Sequence, residues 1–183
     1  LLSHWSNFSN YFQAVPDLAM ILSVSKSGGL VDASGCLNLN NSHLPCDIVS
    51  ITCEDPSQCV TKIGDNFLSH SVELDRSLQS NSRLLKSVDL KGFQKVVTIG
   101  SFFLSHCSSL QSVDLKWLQN VTTIDCFFLS NCTALQSVYL KWLQKVVKVG
   151  ANFLAFYSSP LINKEVNEFL NDLHSRQAEA YKK

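Results

Sequence analysis

The sequence lacks net charge and has few charged residues of either sign. Lysine plus arginine equals aspartate plus glutamate at 15 each in 183 residues, and charged residues make up 16% of the chain. A neutral chain has no long-range attraction for nucleic acid or for anionic membranes, so neither is expected as a partner. No apolar run approaches the ~20 residues of a membrane-spanning helix, so no membrane insertion is expected. Hydrophobic residues, at 45%, are frequent enough to predict a folded chain.

Sequence signatures of catalysis are missing as well. No Ser/His/Asp set, pair of carboxylates or phosphate-binding loop stands out, and Gly28-Gly29 alone is typical of a turn. These absences predict a protein that is not an enzyme and that needs no cofactor.

Three copies of one unit stand end to end in the chain. They begin at Leu85, Leu110 and Leu135, which are 25 residues apart, and no residue is inserted or lost between copies. A fixed period of this length is typical of a solenoid, in which each unit buries its apolar face against its neighbours. The sequence therefore predicts an α+β repeat fold, a short solenoid with stacked parallel β-strands and helical caps at both ends.

Each unit is expected to contain the same short elements. In the first regular copy, apolar and polar residues alternate around Val88 and Leu90, which predicts a short strand. The equivalent residues of the next two copies are Val113, Leu115, Val138 and Leu140. The run from Val96 to Ile99 predicts a second extended segment, and Phe103 to Cys107 predicts a single helical turn. Stacked units would place equivalent strands side by side, about 4.8 Å apart.

A degenerate copy of the unit precedes the regular ones. It begins at Ile48, and an insertion of 11 residues, expected within Val72–Leu84, separates its phenylalanine Phe67 from Phe103 by 36 residues instead of 25. The chain therefore divides into an N-terminal cap over 1–47, repeats over 48–157 and a C-terminal capping helix over 158–183.

Both caps are predicted to be helical. Aromatic residues at steps of three and four between Trp5 and Val15 predict one helix, and Pro16 can open a second that ends near Val24. At the other end, an apolar stripe predicts a helix from Asn163 to about Tyr181. The stripe consists of Ile162, Val166, Phe169, Leu170 and Leu173. Such helices would cover the open ends of the array.

The repeat columns read V-x-x-I-G-x-x-F-L-x-x-C-x-x-L-x-S-V-x-L over about residues 48–157. This string is similar to the BspA-like leucine-rich repeat of bacterial and protist surface proteins. The resemblance implies a leucine-rich-repeat solenoid, a curved array used for binding or adhesion, with no shared catalytic residues. The chain departs from the family where Lys91, Lys116 and Lys141 stand in place of a common proline, and where Ser71 and Tyr157 interrupt the cysteine column.

The outward positions of the predicted strands are the candidate binding face, because the inward positions are used by the core. The candidate partner-binding residues are Asp89, Lys91, Asp114, Lys116, Tyr139 and Lys141. One interpretation is a basic stripe that meets an anionic or polar protein surface, with Tyr139 and Trp142 as candidate anchors. The alternative is a solvated lattice of aspartates and lysines that binds nothing.

Two adjacent repeat columns bring histidine and cysteine together. The first contains His70, His106 and Asn131, and the second contains Ser71, Cys107 and Cys132. Such a cluster could form a zinc site or supply a thiol nucleophile. However, the spacing follows the repeat and not a ligand pattern such as CxxC. We therefore expect no metal here, and thiols that pack as small hydrophobes.

Two features bear on the compartment. Cys36, Cys46, Cys53 and Cys59 could form two disulfides in an oxidising compartment, with three possible pairings, or remain thiols in the cytosol. Glycosylation sequons lie at Asn120 and Asn131, and also near the N-terminus. Together with the family resemblance, they predict a non-catalytic protein–protein interaction module that is secreted or at the cell surface. The alternative is a cytoplasmic scaffold or adaptor. Either would bind a protein or peptide ligand.

Overall fold

Two β-sheets, built from strands of successive repeats, organise the fold. The computed structural model describes residues 12–15, 19–23, 30–39, 49–56, 58–69, 84–157 and 159–180. Sheet A contains, in spatial order, β1 (Phe12–Val15), β2 (Ala19–Ser23), β4 (Ser50–Glu54), β6 (Ser87–Asp89) and β8 (Ser112–Asp114). Sheet B contains β10 (Lys148–Val149), β9 (Thr123–Ile124), β7 (Thr98–Ile99), β5 (Lys62–Ile63) and β3 (Cys36–Leu37). Neighbouring strands run parallel in both sheets, except for the antiparallel pair β1 and β2.

The register of both sheets follows the repeat. In sheet A Val88 pairs with Val113, and in sheet B Ile99 pairs with Ile124. The partners are equivalent residues of adjacent copies, so the predicted stacking of parallel strands is confirmed. Upstream, Ile51 pairs with Val88 in the same parallel manner. A single register therefore places Ile51, Val88 and Val113 in one buried row.

The two helices predicted for the N-terminal region are wrong where the structure describes them. Phe12–Val15 and Ala19–Ser23 are strands that pair with each other, and β2 continues sheet A beside β4. Without β2, strand β4 would end the sheet with a row of unpaired N–H and C=O groups. Pairing satisfies these groups, and this tertiary context overrides the helical spacing of the aromatic residues. Trp5 lies outside the described residues.

The strand predicted around Val138 in the last repeat is also absent. Val138 is buried like its equivalents, but the chain forms a 3₁₀ turn at Leu140–Trp142. The backbone N–H of Leu140 donates to the Glu165 carboxylate at 3.0 Å. A carboxylate of the C-terminal helix thus binds the first N–H of the 3₁₀ turn, and sheet A ends at β8.

The predicted helical turn at Phe103–Cys107 is replaced by a different backbone. Every second residue is left-handed, with φ of 61° at Phe102, 51° at Leu104 and 62° at His106. The same alternation recurs at the equivalent positions of the next two repeats, at Phe127, Leu129, Asn131, Asn152, Leu154 and Phe156. We call the three segments 101–107, 126–132 and 151–157 the turn ladder.

Because every second residue is left-handed, the backbone of the turn ladder can form hydrogen bonds with both neighbouring repeats. Phe102 N–H donates forward to the Cys126 carbonyl at 2.9 Å, and Leu104 N–H donates backward to the Phe67 carbonyl at 2.8 Å. A helical turn would satisfy these groups within one repeat, whereas here they connect repeats. The left-handed conformation of large residues costs of order 1 kcal/mol each, which the inter-repeat bonds offset.

A column of stacked phenylalanine rings fills the core between the sheets. The ring centroids of Phe67, Phe103, Phe128 and Phe153 follow one another at 5.2, 5.1 and 5.3 Å. Phe169 of the C-terminal helix adds a fifth ring, 5.4 Å from Phe153. Each interior ring is therefore buried only because the repeats above and below supply its neighbours.

The C-terminal helix α1 spans Pro160–Ala180 and confirms the predicted helix. Ile162, Val166, Phe169 and Leu173 are buried against the last repeat. Pro160 stands in the first turn, where its missing N–H has no helical partner to lose.

Polar side chains of α1 occupy the places where a following repeat would form hydrogen bonds. Arg176 donates to the carbonyls of Gln144 and Val146, the latter at 2.9 Å, and the Gln177 amide donates to the Val147 carbonyl at 2.6 Å. Between earlier repeats, the carbonyl equivalent to that of Val147, on Val97, accepts the Thr122 N–H at 2.8 Å. The helix therefore ends sheet B with side-chain donors instead of backbone donors.

We expect Phe128→Ala to lower the free energy of unfolding by about 3–5 kcal/mol, because it empties a fully buried place between two rings. Phe127→Ala is the matched control in the same repeat. Its ring is only half-buried against Phe102, at 4.6 Å, so the loss should be about 1–2 kcal/mol. Denaturant-induced unfolding measures both, and equal losses would contradict the column's role.

Candidate functional site

The outward face of sheet A carries two rows of polar side chains. In the first row Thr52 pairs with Asp89 and Asp89 with Asp114, and Tyr139 follows in the last repeat. The second row, two residues further along each repeat, contains Glu54, Lys91, Lys116 and Lys141. The structure therefore brings the six predicted partner-binding residues onto the same face of consecutive repeats.

The first two lysines of the row are paired with carboxylates. Lys91 Nζ lies 3.4 Å from Glu54 Oε1 of the preceding repeat, and Lys116 Nζ contacts Asp114 of its own repeat. The hydrogen bond to Asp114 raises the pKa of Lys116. Asp89 instead accepts the indole N–H of Trp117 at 3.1 Å. Each ammonium group thus has its own partner, which offsets the repulsion expected between stacked lysines.

Lys141 has a different environment. Its Nζ lies 5.8 Å from the centroid of the Tyr139 ring and 5.1 Å from that of Trp142. Within the described part of the chain, Lys141 has no carboxylate at ion-pair distance. Tyr139 is 60% exposed. The last repeat therefore presents an aromatic cluster, in which a lysine contacts two aromatic rings and no carboxylate of the described residues. In the two previous repeats Lys91 and Lys116 are each paired with a carboxylate, and Lys116 also lies 5.2 Å from the centroid of the Trp117 ring.

Glu54 contributes to this face although it was not among the predicted partner-binding residues, and Trp142 contributes as the second anchor that the sequence suggests. Glu54 could have been found by aligning the degenerate copy, because Thr52 pairs with Asp89 and position 54 then lies beside Lys91. The column of Trp117 and Trp142 begins with Gly92, whose φ is +91°. A Cβ on Gly92 would lie 3.0 Å from the Asp55 nitrogen, so a tryptophan cannot occupy the place in that repeat.

A groove of about 260 Å³ lies between the 3₁₀ turn and α1, next to this cluster. Leu140, Leu143 and Phe169 contribute its apolar lining. Its carboxylates are already engaged: Glu165 with the Leu140 N–H at 3.0 Å, Glu168 with Lys164 at 3.8 Å, and Asp172 with Arg176 at 2.9 Å. Each of the three carboxylates is therefore held by a partner within the chain.

The cysteines of the repeat column serve as hydrogen-bond donors within the core. The Cys107 thiol donates to the Leu68 carbonyl at 3.2 Å, and the Cys132 thiol donates to the Leu104 carbonyl at 3.1 Å. Burial raises the pKa of Cys107 well above its ordinary value and that of Cys132 to about 12. Both are therefore neutral thiols at physiological pH and poor nucleophiles.

His106 belongs to a neutral hydrogen-bond chain that connects two repeats. Its Nδ1 lies 2.8 Å from the Ser105 hydroxyl and its Nε2 lies 3.0 Å from the Asn131 amide nitrogen. The amide N–H donates to Nε2, so Nδ1 carries the proton and donates to Ser105. Partial burial lowers the pKa of His106. His70 and Ser71 lie outside the described residues.

Among the described residues, no three histidine, cysteine or acidic side chains come together as a metal site. Cys36, Cys53 and Cys59 are free thiols, so the structure forms no disulfide among these three. Cys46 lies outside the described residues.

The amide nitrogens of both candidate glycosylation residues are engaged. Asn120 Nδ2 donates to the Gln94 carbonyl at 2.7 Å, while its Oδ1 accepts from Lys145 Nζ at 2.6 Å. Asn131 Nδ2 donates to His106. A glycan is attached through this nitrogen, so attachment at either residue would disturb a contact between repeats.

In the described ranges, no helix is both long and apolar enough to cross a membrane.

No protein-family model matches the sequence, and no curated protein does either. Among solved structures, the chain is similar to a leucine-rich cell surface protein from Faecalibacterium prausnitzii A2-165, with 17% sequence identity and a TM-score of 0.29. The similarity covers 81% of this chain and 52% of that chain, so this chain spans about half the length of the protein that it matches. A likeness at this level carries no inference about what the chain binds.

We expect a thiol reagent at pH 8 to label the half-buried Cys59 and Cys126 in the native protein, and to label Cys107 and Cys132 only on unfolding. The reason is burial together with the raised pKa of the last two thiols. Mass spectrometry of labelled peptides with and without denaturant measures this. Native labelling of Cys107 at the rate of Cys126 would contradict it.

The same two thiols should make stability depend on pH. Their pKa is higher in the folded than in the unfolded chain, so the unfolded chain binds fewer protons above the unfolded pKa of about 8.5. We expect the free energy of unfolding to fall as pH rises above that value. The double variant Cys107→Ala/Cys132→Ala is the control, and an equally steep fall in both proteins would show that other groups cause it.

Proposed function

We propose that this chain is a non-catalytic protein–protein interaction module, which binds a protein or peptide through the outward face of sheet A together with the 3₁₀ turn that follows the sheet in the last repeat. The exposed Tyr139 ring beside Lys141 is the observation that carries the proposal. Val88 and Val113, on the inward side of the same sheet, are buried. Only the outward side chains are therefore available to meet a partner.

For the fold, we propose more specifically a short solenoid of the BspA-like leucine-rich-repeat type. It is supported by one strand per repeat in sheet B, by the common register, and by the phenylalanine column. The degenerate copy fits the same scheme, since Ile63 pairs with Ile99 in sheet B.

Binding energy on this face should come from the aromatic cluster more than from the ion pairs. Asp89, Lys91, Asp114 and Lys116 are satisfied within the chain, and exposed ion pairs contribute about 0–1 kcal/mol. Aromatic residues are the frequent hot spots of protein interfaces. Tyr139 and Lys141 would therefore form the centre of the contact, and the aspartates and paired lysines would form its polar rim.

The size of the face limits the affinity. Five strands at a spacing of about 4.8 Å give a sheet about 20 Å wide, which is small for a stable protein interface. We therefore propose a modest affinity for a single partner segment.

For the compartment, we propose a secreted or cell-surface protein, on the resemblance of the repeat columns to surface proteins. The second candidate is a cytoplasmic scaffold or adaptor, and the free thiols of Cys36, Cys53 and Cys59 favour it. Mass spectrometry of the protein from its native source, with and without reductant, separates the two. Disulfides or glycans at Asn120 or Asn131 would exclude the cytoplasmic candidate.

The binding proposal is tested by a pull-down that compares the wild type with Tyr139→Ala/Lys141→Glu. We expect the double variant to recover at least about tenfold less partner, since it removes a hot-spot ring and reverses a charge. Val97→Thr is the matched control, because Val97 is 43% exposed and lies outside sheet A. All three proteins must first show the same thermal unfolding. Equal recovery by the wild type and the double variant would exclude this face.

A further inference from the structure

Phe156 differs in side chain and exposure from the residues at the equivalent positions of the turn ladder. The equivalent residues of the two preceding repeats are His106 and Asn131, whose side chains are half-buried and bonded to each other at 3.0 Å. Phe156 is instead 66% exposed and has a φ of 61°. A large residue in the left-handed region is uncommon, and an exposed aromatic ring in that conformation is costly without a compensating contact.

The backbone hydrogen bonding around Phe156 is also incomplete. At the preceding interface, Phe127 N–H donates to the Ala151 carbonyl at 2.9 Å, Asn131 N–H donates to the Ala155 carbonyl at 2.9 Å, and the Phe128 carbonyl accepts the Leu154 N–H at 2.8 Å. The equivalent groups of the last repeat are Asn152 N–H, Phe156 N–H and the Phe153 carbonyl. Within the described ranges these three groups have no hydrogen-bond partner.

Helix α1 covers the core and sheet B of the last repeat but not this corner. Its side chains reach Gln144, Val146 and Val147, its Phe169 ring covers the Phe153 ring, and its Asn163 accepts the Tyr157 hydroxyl at 2.8 Å, whereas the Phe156 ring stays exposed. The corner of Asn152, Phe153 and Phe156 therefore continues an interface that is already formed between the earlier repeats. We call the Asn152 N–H, the Phe153 carbonyl and the Phe156 residue the open corner; the ring of Phe153 itself is buried in the phenylalanine column.

We propose that the open corner docks on the open corner of a second copy of this chain, around a two-fold axis. An N–H donor on Asn152 lies next to a C=O acceptor on Phe153, and both face the side of a following repeat. Two copies related by a two-fold axis can each donate the Asn152 N–H to the other's Phe153 carbonyl, and the two Phe156 rings cover each other.

The absence of charge at the corner is compatible with a second copy as the occupant, and the small size of the corner limits the affinity. The chain has no net charge, and residues 149–163 contain no charged side chain, so identical copies approach without repulsion. The buried area is small against the ~1,200 Å² of standard interfaces. The dimer is therefore weak and reversible.

This contact lies outside the outward face of sheet A and requires no other protein. The dimer proposal and the binding proposal are therefore independent, and the failure of one would leave the other unaffected.

Sedimentation equilibrium between about 10 μM and 1 mM protein, the range of weak association, tests the proposal on the full chain. Phe156→Asn should weaken dimerisation about tenfold or more, because it removes the exposed ring. Asparagine already occupies the equivalent place in the preceding repeat and tolerates the left-handed conformation. Val147→Thr is the control, because Val147 is 57% exposed in the same repeat and its dimerisation should match the wild type.

Hydrogen exchange of the wild type gives the second readout and does not depend on any variant's folding. The Asn152 and Phe156 amides should exchange more slowly at high than at low protein concentration. The proposal is overturned if the wild type stays monomeric throughout, if folded Phe156→Asn dimerises as strongly as the wild type, or if the exchange of these amides is independent of concentration.

Discussion

Hydrogen bonding between the turn segments of adjacent repeats is the constraint on which the rest of the structure depends. Alternate N–H groups of one segment bond to the repeat before and to the repeat after, as Leu104 and Phe102 do. A single repeat would leave both sets exposed, and its phenylalanine would have no ring on either side. The repeats therefore stabilise one another, and the fold is a property of the array and not of the unit.

The ends of the array follow from the same constraint. A β-hairpin extends sheet A at the N-terminal end, and α1 supplies side-chain donors and the Phe169 ring at the other. The last repeat therefore differs from its copies. It replaces a strand with a 3₁₀ turn, pairs Lys141 with aromatic rings instead of a carboxylate, and leaves one corner open. The centre of the proposed binding face and the proposed dimer contact both lie in this repeat.

The parts of the fold that depend on the period could be predicted from the sequence. The spacing of Val88 and Val113 gives their pairing directly, because identical units stack with one register. The parts of the fold at the two ends of the array could not be predicted in this way. Neither the pairing of β1 with β2 nor the hydrogen bond from the Leu140 amide to Glu165 follows from the local sequence. The outward rows of the candidate site follow from strand alternation. The actual partner of each lysine depends on side-chain geometry across repeats, as with Lys91 and Glu54.

Native-state hydrogen exchange at the Leu104, Phe127 and Leu129 amides tests the dependence between repeats most directly. These amides bond only across repeat boundaries. If the repeats cannot stand alone, the three amides open with one common free energy, equal to that of global unfolding measured with denaturant. If each amide instead exchanged through a separate opening of much lower free energy, each repeat would hold its own structure. That result would contradict the dependence between repeats.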